Sequence, residues 1–175
     1  MNAVRVRGPL CRVACVRGHR LVLRAATRRD VDAVVRLEHT ATLTEHRLIP
    51  EIAGRRLDAR SARRNWRRAI ASSRRHLFVA ARGVEVLGAI GVDLLVGRHR
   101  LAHVRRRIYL HSLFVKPAAR RLGLARRLTR LALDWGRSRG AVQARLEMAA
   151  PNRSARRLYE SVGFRVREMM FARAL

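Results

Sequence analysis

The sequence predicts one α/β (α+β) domain, a mixed β-sheet flanked by helices in the order β-α-α-β-β-β-α-β-α-β. Three observations carry this expectation. An apolar run from Ile108 to Val115 stops at Pro117, which cannot donate to a sheet ladder, and a helical pattern follows with Leu124, Leu128, Leu131 and Trp135 at steps of four, three and four. A second strand, Ala141 to Met148, leads through Pro151-Asn152 into a helix marked by Ala155, Leu158, Tyr159 and Val162. Upstream, His76–Arg82 and Glu85–Leu95, joined by Gly83-Val84, read as a hairpin. A chain of 175 residues has the length for one sizeable core.

Taken in order, residues 1–20 form a separate basic arm, disordered or wrongly started, because arginines break every apolar run in it. No uninterrupted segment of a secretory signal is present there. Cys11 and Cys15 are the only cysteines, and with His19 they fall short of a zinc set, so no metal is expected and the thiols read as reduced and cytoplasmic. The folded domain is expected over residues 21–175. Leu21 to Thr27 alternates as a first strand, and Thr27-Arg28-Arg29-Asp30 offers a cap for a helix continuing through Val31, Val34, Val35 and Glu38. A polar, basic stretch with Glu45, His46 and Glu51 precedes a second helix, about Ala59 to Ala71, carrying Trp66 and Ile70. After the hairpin and the two strand–helix units, Gly163 suits a helix C-terminus and Phe164 to Phe171 reads as a final strand.

The junction between Val115 and the following helix has its own chemistry. A strand, a glycine-containing turn and a helix N-terminus direct unpaired N–H groups and the positive end of the helix dipole at one place. Gly123 lets backbone approach a ligand closely, so the stretch reads as a pyrophosphate cradle.

Arg120-x-x-Gly123-x-Ala125 followed by Asn152-x-x-Ala155-x-x-Leu158-Tyr159-x-x-x-Gly163-Phe164 resembles the GCN5-related N-acetyltransferase superfamily. The opening Arg24-x-Ala26-Thr27-x-x-Asp30 resembles that fold's first strand and helix, and the resemblance extends from Leu21 to Leu175. It implies acetyl transfer from acetyl-CoA to a primary amine by direct attack on the thioester. It further implies that backbone at Leu113, Phe114 and Val115 pairs with the pantetheine arm, that Arg120, Arg121, Leu122, Gly123, Leu124, Ala125 and Arg126 hold the pyrophosphate, and that Asn152 and Arg157 approach the cofactor.

The same resemblance gives Tyr159 as the acid for the departing thiolate, against its alternative as a core aromatic. A phenol at about pKa 10 suits a thiol at about 8.5. For the base, Glu147 lies in Leu146-Glu147-Met148-x-x-x-Asn152, similar to ribosomal-protein N-terminal acetyltransferases, and His111 offers a second choice. Tyr109-Leu110-His111-Ser112-Leu113-Phe114-Val115 lacks both acids of the similar strand in polyamine acetyltransferases, which argues against a polyamine acceptor.

Composition bears on partners. Lys+Arg number 40 against 12 Asp+Glu, a formal charge of +28, and Lys116 is the one lysine. Such a field favours anions such as coenzyme A, nucleic acid or ribosomes, or it is a solvated surface with no partner. Aromatic residues at 5% offer no stacking platform for nucleic acid. An RNA- or ribosome-associated basic module on the same fold, with CoA binding retained or lost, is the alternative function. No apolar run approaches the roughly 18 residues of a membrane span. The acceptor and the oligomeric state, a homodimer included, stay open.

Overall fold

In the computed structural model, which describes residues 11–16, 18–49, 58–97 and 106–169, six strands lie side by side in chain order. They are β1 (Arg12–Val16), β2 (His19–Ala25), β3 (Arg75–Arg82), β4 (Glu85–Val96), β5 (Arg106–Val115) and β6 (Gln143–Leu146). Neighbours pair antiparallel except β5 and β6, which are parallel. Parallel strands need a crossover. The connection from β5 to β6 contains helix α3 (Leu124–Ser138). The other helices among the described residues are α1 (Val31–Leu48), α2 (Ala59–Ala71) and α4 (Arg153–Glu160). None is long and apolar enough to cross a membrane.

Period-two alternation divides the core into two layers. Phe78 and Ala80 of β3 join Leu124, Leu128, Leu131 and Trp135 of α3 on one face, whereas Leu77 and Val79 join Val34 of α1 and Trp66 of α2 on the other. In β5 the alternation breaks. Ile108 and Leu110 face α3, yet Phe114, an even number of residues further on, belongs to the α1/α2 layer. The cause is one extra residue: Ala89 pairs with Phe114 but Gly91 pairs with His111, and Ser112 within the gap has a φ of 53°. A left-handed residue inserted in a strand is the mark of a β-bulge.

The start of α1 is fixed by a short polar lock. Arg24 donates from both terminal nitrogens to the Asp30 carboxylate at 2.7 and 2.9 Å, and the Thr27 N–H and hydroxyl donate to its Oδ2 at 2.6 and 2.8 Å. Burial opposes the charge on Asp30, but these hydrogen bonds outweigh it and hold the carboxyl below its ordinary range.

The structure departs from the sequence expectation in four places. Residues Arg12–Val16, assigned to the basic arm, form β1, which pairs through all five residues with β2, and β2 itself begins at His19. Its pattern is faint: Ala14 is buried while Arg12, Val13 and Cys15 face outward. Helix α1 continues to Leu48, so Glu45 and His46 lie on helix instead of loop, and Glu51 lies outside the described residues. The strand expected over Ala141–Met148 is only four residues long, which puts Glu147 just past its end. No strand forms over 164–169, where Val166 and Met169 are 61% and 77% exposed and so gain no buried face; 170–171 lie outside the described residues.

Candidate active site

The parallel ladder between β5 and β6 runs from Arg107↔Gln143 to Leu110↔Leu146 and stops there, while β5 continues to Val115. From His111 onward that edge of β5 has no strand partner among the described residues. Leu113 and Val115 pack toward the α3 layer, and Phe114 is 9% exposed in the opposite one. What this segment offers a ligand is therefore mainly backbone: N–H and C=O groups on an open edge.

The open edge runs into the start of α3. After Lys116 the chain makes a 3-10 turn over Pro117–Ala119, then passes Arg121 at φ 66° and Gly123 at φ 71°, where α3 begins. No side chain caps α3 and no acid lies in its first turn. A Cβ on Gly123 would meet nothing within 4 Å, so the glycine answers to its left-handed backbone and the space above it is open. Arg120, Arg121 and Arg126 are exposed around it. Leu124 is 1% exposed and Leu122 packs against the core, so those two residues present only backbone. N–H groups without a side-chain cap, the positive end of the helix dipole and three guanidiniums thus lie together at this end of α3, features of the kind that favour an anion.

A second cluster occupies the α2 side of β5. The His111 ring stacks on Trp66 (centroids 5.8 Å apart, 11° between planes) and on Tyr109 (6.2 Å, 19°). Trp66 donates its indole N–H to Glu38 at 2.8 Å. His111 Nε2 lies 3.3 Å from Asp93 Oδ1, which also accepts from Arg75 Nε at 3.2 Å, and His111 Nδ1 lies 3.1 Å from the Ser112 hydroxyl. Burial works against ionisation of Asp93, but His111 and Arg75 outweigh it and keep the carboxyl below its ordinary range. Tyr109 is pushed the other way: burial first, then the charge of Glu147 and a hydrogen bond to it, raise the phenol above its usual value. Glu147 and His111, the two residues selected as bases, thus both contact Tyr109.

Tyr159 lies half-buried on α4, edge-on to Phe164 at 5.8 Å, on a helix that packs against α3. Asn152 is the α4 cap, its Oδ1 accepting from the Ala155 N–H at 3.0 Å, and Arg157 is exposed in the last turn. Sequence reading missed Asp93, Tyr109, Ser112 and Gly91 as neighbours of His111. The hairpin register holds the signal, since Gly91 pairs with His111 and Asp93 with Tyr109.

The model of the acetyltransferase (GNAT) family matches residues 40–164. No curated protein matches the sequence. Among solved structures, a transcriptional regulator from Bacillus halodurans superposes with a TM-score of 0.72 at 21% identity, covering 89% of this chain and 99% of that one. A protein from Clostridium acetobutylicum, described as a predicted acetyltransferase with acetyl-CoA, gives 0.69 at 13% identity, covering 88% and 96%. An aminoglycoside N-acetyltransferase in complex with CoA gives 0.71 at 16%, covering 90% and 97%. At these identities the structural likeness speaks for the fold, while the family model spans most of the chain: it belongs to the acetyltransferase (GNAT) family.

Proposed function

We propose that this protein transfers an acetyl group from acetyl-CoA to a primary amine by direct attack on the thioester. One observation carries the reading: an edge of β5 that has no strand partner among the described residues leads straight into an arginine-flanked helix N-terminus without a side-chain cap. That arrangement suits a ligand with an extended amide-bearing arm and a pyrophosphate at its far end. Leu113, Phe114 and Val115 would pair with the pantetheine, and the Arg120–Arg126 turn would hold the phosphates, with Asn152 and Arg157 nearby. Two of the neighbours named above hold acetyl-CoA and CoA.

The chemistry asks little of the protein. Donor and amine must be held together, the attacking nitrogen must lose a proton, and the thiolate must gain one. Tyr159 is the acid in this reading. Glu147 or His111 is the base. A free amine attacks a thioester without a covalent enzyme intermediate. The formal charge of +28 disfavours polycationic acceptors, so neutral or anionic amines and peptide N-termini come first.

The test is acetyl-CoA titration by calorimetry followed by turnover, detecting free thiol, across peptide N-termini, lysine peptides and small amines. Tyr159→Phe should keep acetyl-CoA affinity and lower kcat by about 10²–10⁴. If Glu147 is the base, Glu147→Gln should lose activity at neutral pH and regain part of it at high pH; if His111 is, Glu147→Gln should keep the wild-type pH profile. Absence of acetyl-CoA binding would overturn the reading, and wild-type turnover by Tyr159→Phe with chemistry limiting would remove its acid.

A second reading has its own observation. Arg60, Arg64, Arg67 and Arg68 form an exposed stripe on α2 opposite its buried Ala62, Trp66 and Ala69. Such a stripe suits an RNA or ribosomal backbone. Salt-dependent RNA pull-down that survives loss of acetyl-CoA binding would favour it.

A further inference from the structure

We infer that Ser112, His111 and Asp93 form a proton relay whose outer member, the Ser112 hydroxyl, takes the proton from the attacking amine. The inference rests on the acetyl-transfer reading and assigns its base. Asp93 is a carboxylate and can only accept, so the His111 nitrogen facing it at 3.3 Å, Nε2, must carry the ring proton. Nδ1 is then the bare nitrogen, and the Ser112 hydroxyl at 3.1 Å donates to it. The order along the chain of bonds is hydroxyl, imidazole, carboxylate, with Arg75 Nε on the same Asp93 oxygen at 3.2 Å.

Placement supports use of this order. Ser112 is the left-handed residue of the β5 bulge, two residues beyond the last pairing with β6, on the stretch whose edge has no strand partner among the described residues. A strained backbone at a non-glycine residue survives where surroundings hold it. The His111 side chain is 21% exposed, and its ring stacks on Trp66 and Tyr109, which holds the two nitrogens toward Asp93 and Ser112.

The step balances. As the amine nitrogen bonds to the acetyl carbon, its proton passes to Ser112 Oγ, and the hydroxyl proton of Ser112 passes to His111 Nδ1. The Nε2 proton stays on the ring, hydrogen-bonded to Asp93. The carbon–sulfur bond breaks and the thiolate is protonated by Tyr159 or water; His111 then releases its proton to solvent, and solvent returns one to the Tyr159 phenolate or the hydroxide, so that the net change is the transfer of one proton from amine to thiol. Serine ends as it began. Asp93 is a positioning residue.

Two measurements test the relay on the full-length protein. In ¹⁵N-labelled protein the neutral His111 ring, assigned by its loss in His111→Asn, should be the Nε2–H tautomer. Asp93→Asn, whose amide can donate, should move the proton to Nδ1. With the amine that turns over best, Ser112→Ala should lower kcat by about 10²-fold, with KM and acetyl-CoA affinity unchanged. Ser112→Gly, which also relieves the left-handed backbone, should fold as well as wild type and be equally slow. A wild-type ring protonated at Nδ1 overturns the relay whether or not any amine is acetylated. So does wild-type kcat in Ser112→Gly, or an acetyl adduct on Ser112 after mixing with acetyl-CoA alone. Failure to bind acetyl-CoA would instead overturn the acetyl-transfer reading and leave the tautomer result standing.

Discussion

The ring of His111 occupies the space a side chain on Gly91 would need. A Cβ built on Gly91 would lie 2.7 Å from His111 Nδ1 and 2.8 Å from Nε2. The two residues are register partners across β4 and β5, so neither strand can shift to make room without breaking its ladder. Gly91→Ala is therefore expected to destabilise the fold by about 1–3 kcal/mol, the usual cost of overpacking. The cycle with His111→Ala checks the cause: in the double variant the melting temperature should return most of the way toward that of His111→Ala alone. Additive losses would mean that the two residues do not compete for the space.

Gly123 makes a separable prediction, because its requirement is conformational. Gly123→Asn tolerates the left-handed backbone and should cost little stability. Gly123→Glu places a carboxylate over the uncapped start of α3, in competition with any anion there. Acetyl-CoA affinity measured by calorimetry should fall at least about tenfold further in the Glu variant than in the Asn variant, equivalent to roughly 1.4 kcal/mol. Equal affinity in the two would remove the pyrophosphate assignment.

β1 contributes to stability through its ladder to β2 and the Arg12–Asp134 ion pair at 2.6 Å. The ion pair is largely exposed and contributes little, so the ladder and the burial of Ala14 dominate. A chain starting at His19 should melt several degrees below one starting at Cys11, since about 1 kcal/mol corresponds to about 2–4 °C at this size. Identical melting temperatures would show that β1 is dispensable.

Acid should loosen the start of α1. Asp30 has a lowered folded pKa, so its contribution is complete above its unfolded value and is lost as pH falls through the lower folded value. Stability to urea should thus decline below about pH 4. Asp30→Asn should lose about 1–3 kcal/mol at neutral pH, the range for charged hydrogen bonds and an unsatisfied buried donor, and show a shallower decline in acid. An unchanged acid limb in Asp30→Asn would assign the pH dependence to other carboxylates, Asp93 among them.

Much of this architecture is written locally. Leu124, Leu128, Leu131 and Trp135 mark the inner face of α3 by spacing alone, and Ala59 and Ala71 bound α2 as expected from its pattern. Asn152 caps α4 through a local hydrogen bond, which is why a sequence motif could announce it. The cluster around His111 is different. Asp93 and Trp66 come from 18 and 45 positions upstream in sequence, and only the β4–β5 register and the packing of α2 on the sheet bring them to one ring. The bulge at Ser112 was equally hidden, since serine has no intrinsic preference for a positive φ that a reader could use. β1 escaped notice because, among its described side chains, Ala14 alone is buried, and such an edge strand carries almost no amphipathic signal.

The extra residue in β5 also makes this strand unusually intolerant of changes in length. Because side chains alternate strictly, the domain reads β5 by parity, and the bulge is where parity is reset. Removing Ser112 would turn Phe114 out of the α1/α2 layer and into the space filled by α3, and would swing Leu113 and Val115 the opposite way. Point substitutions here alter one group; a single-codon deletion inverts three. Along this strand, His111 and Ser112 aside, lineages descended from such a sequence are expected to exchange residues before they vary their number.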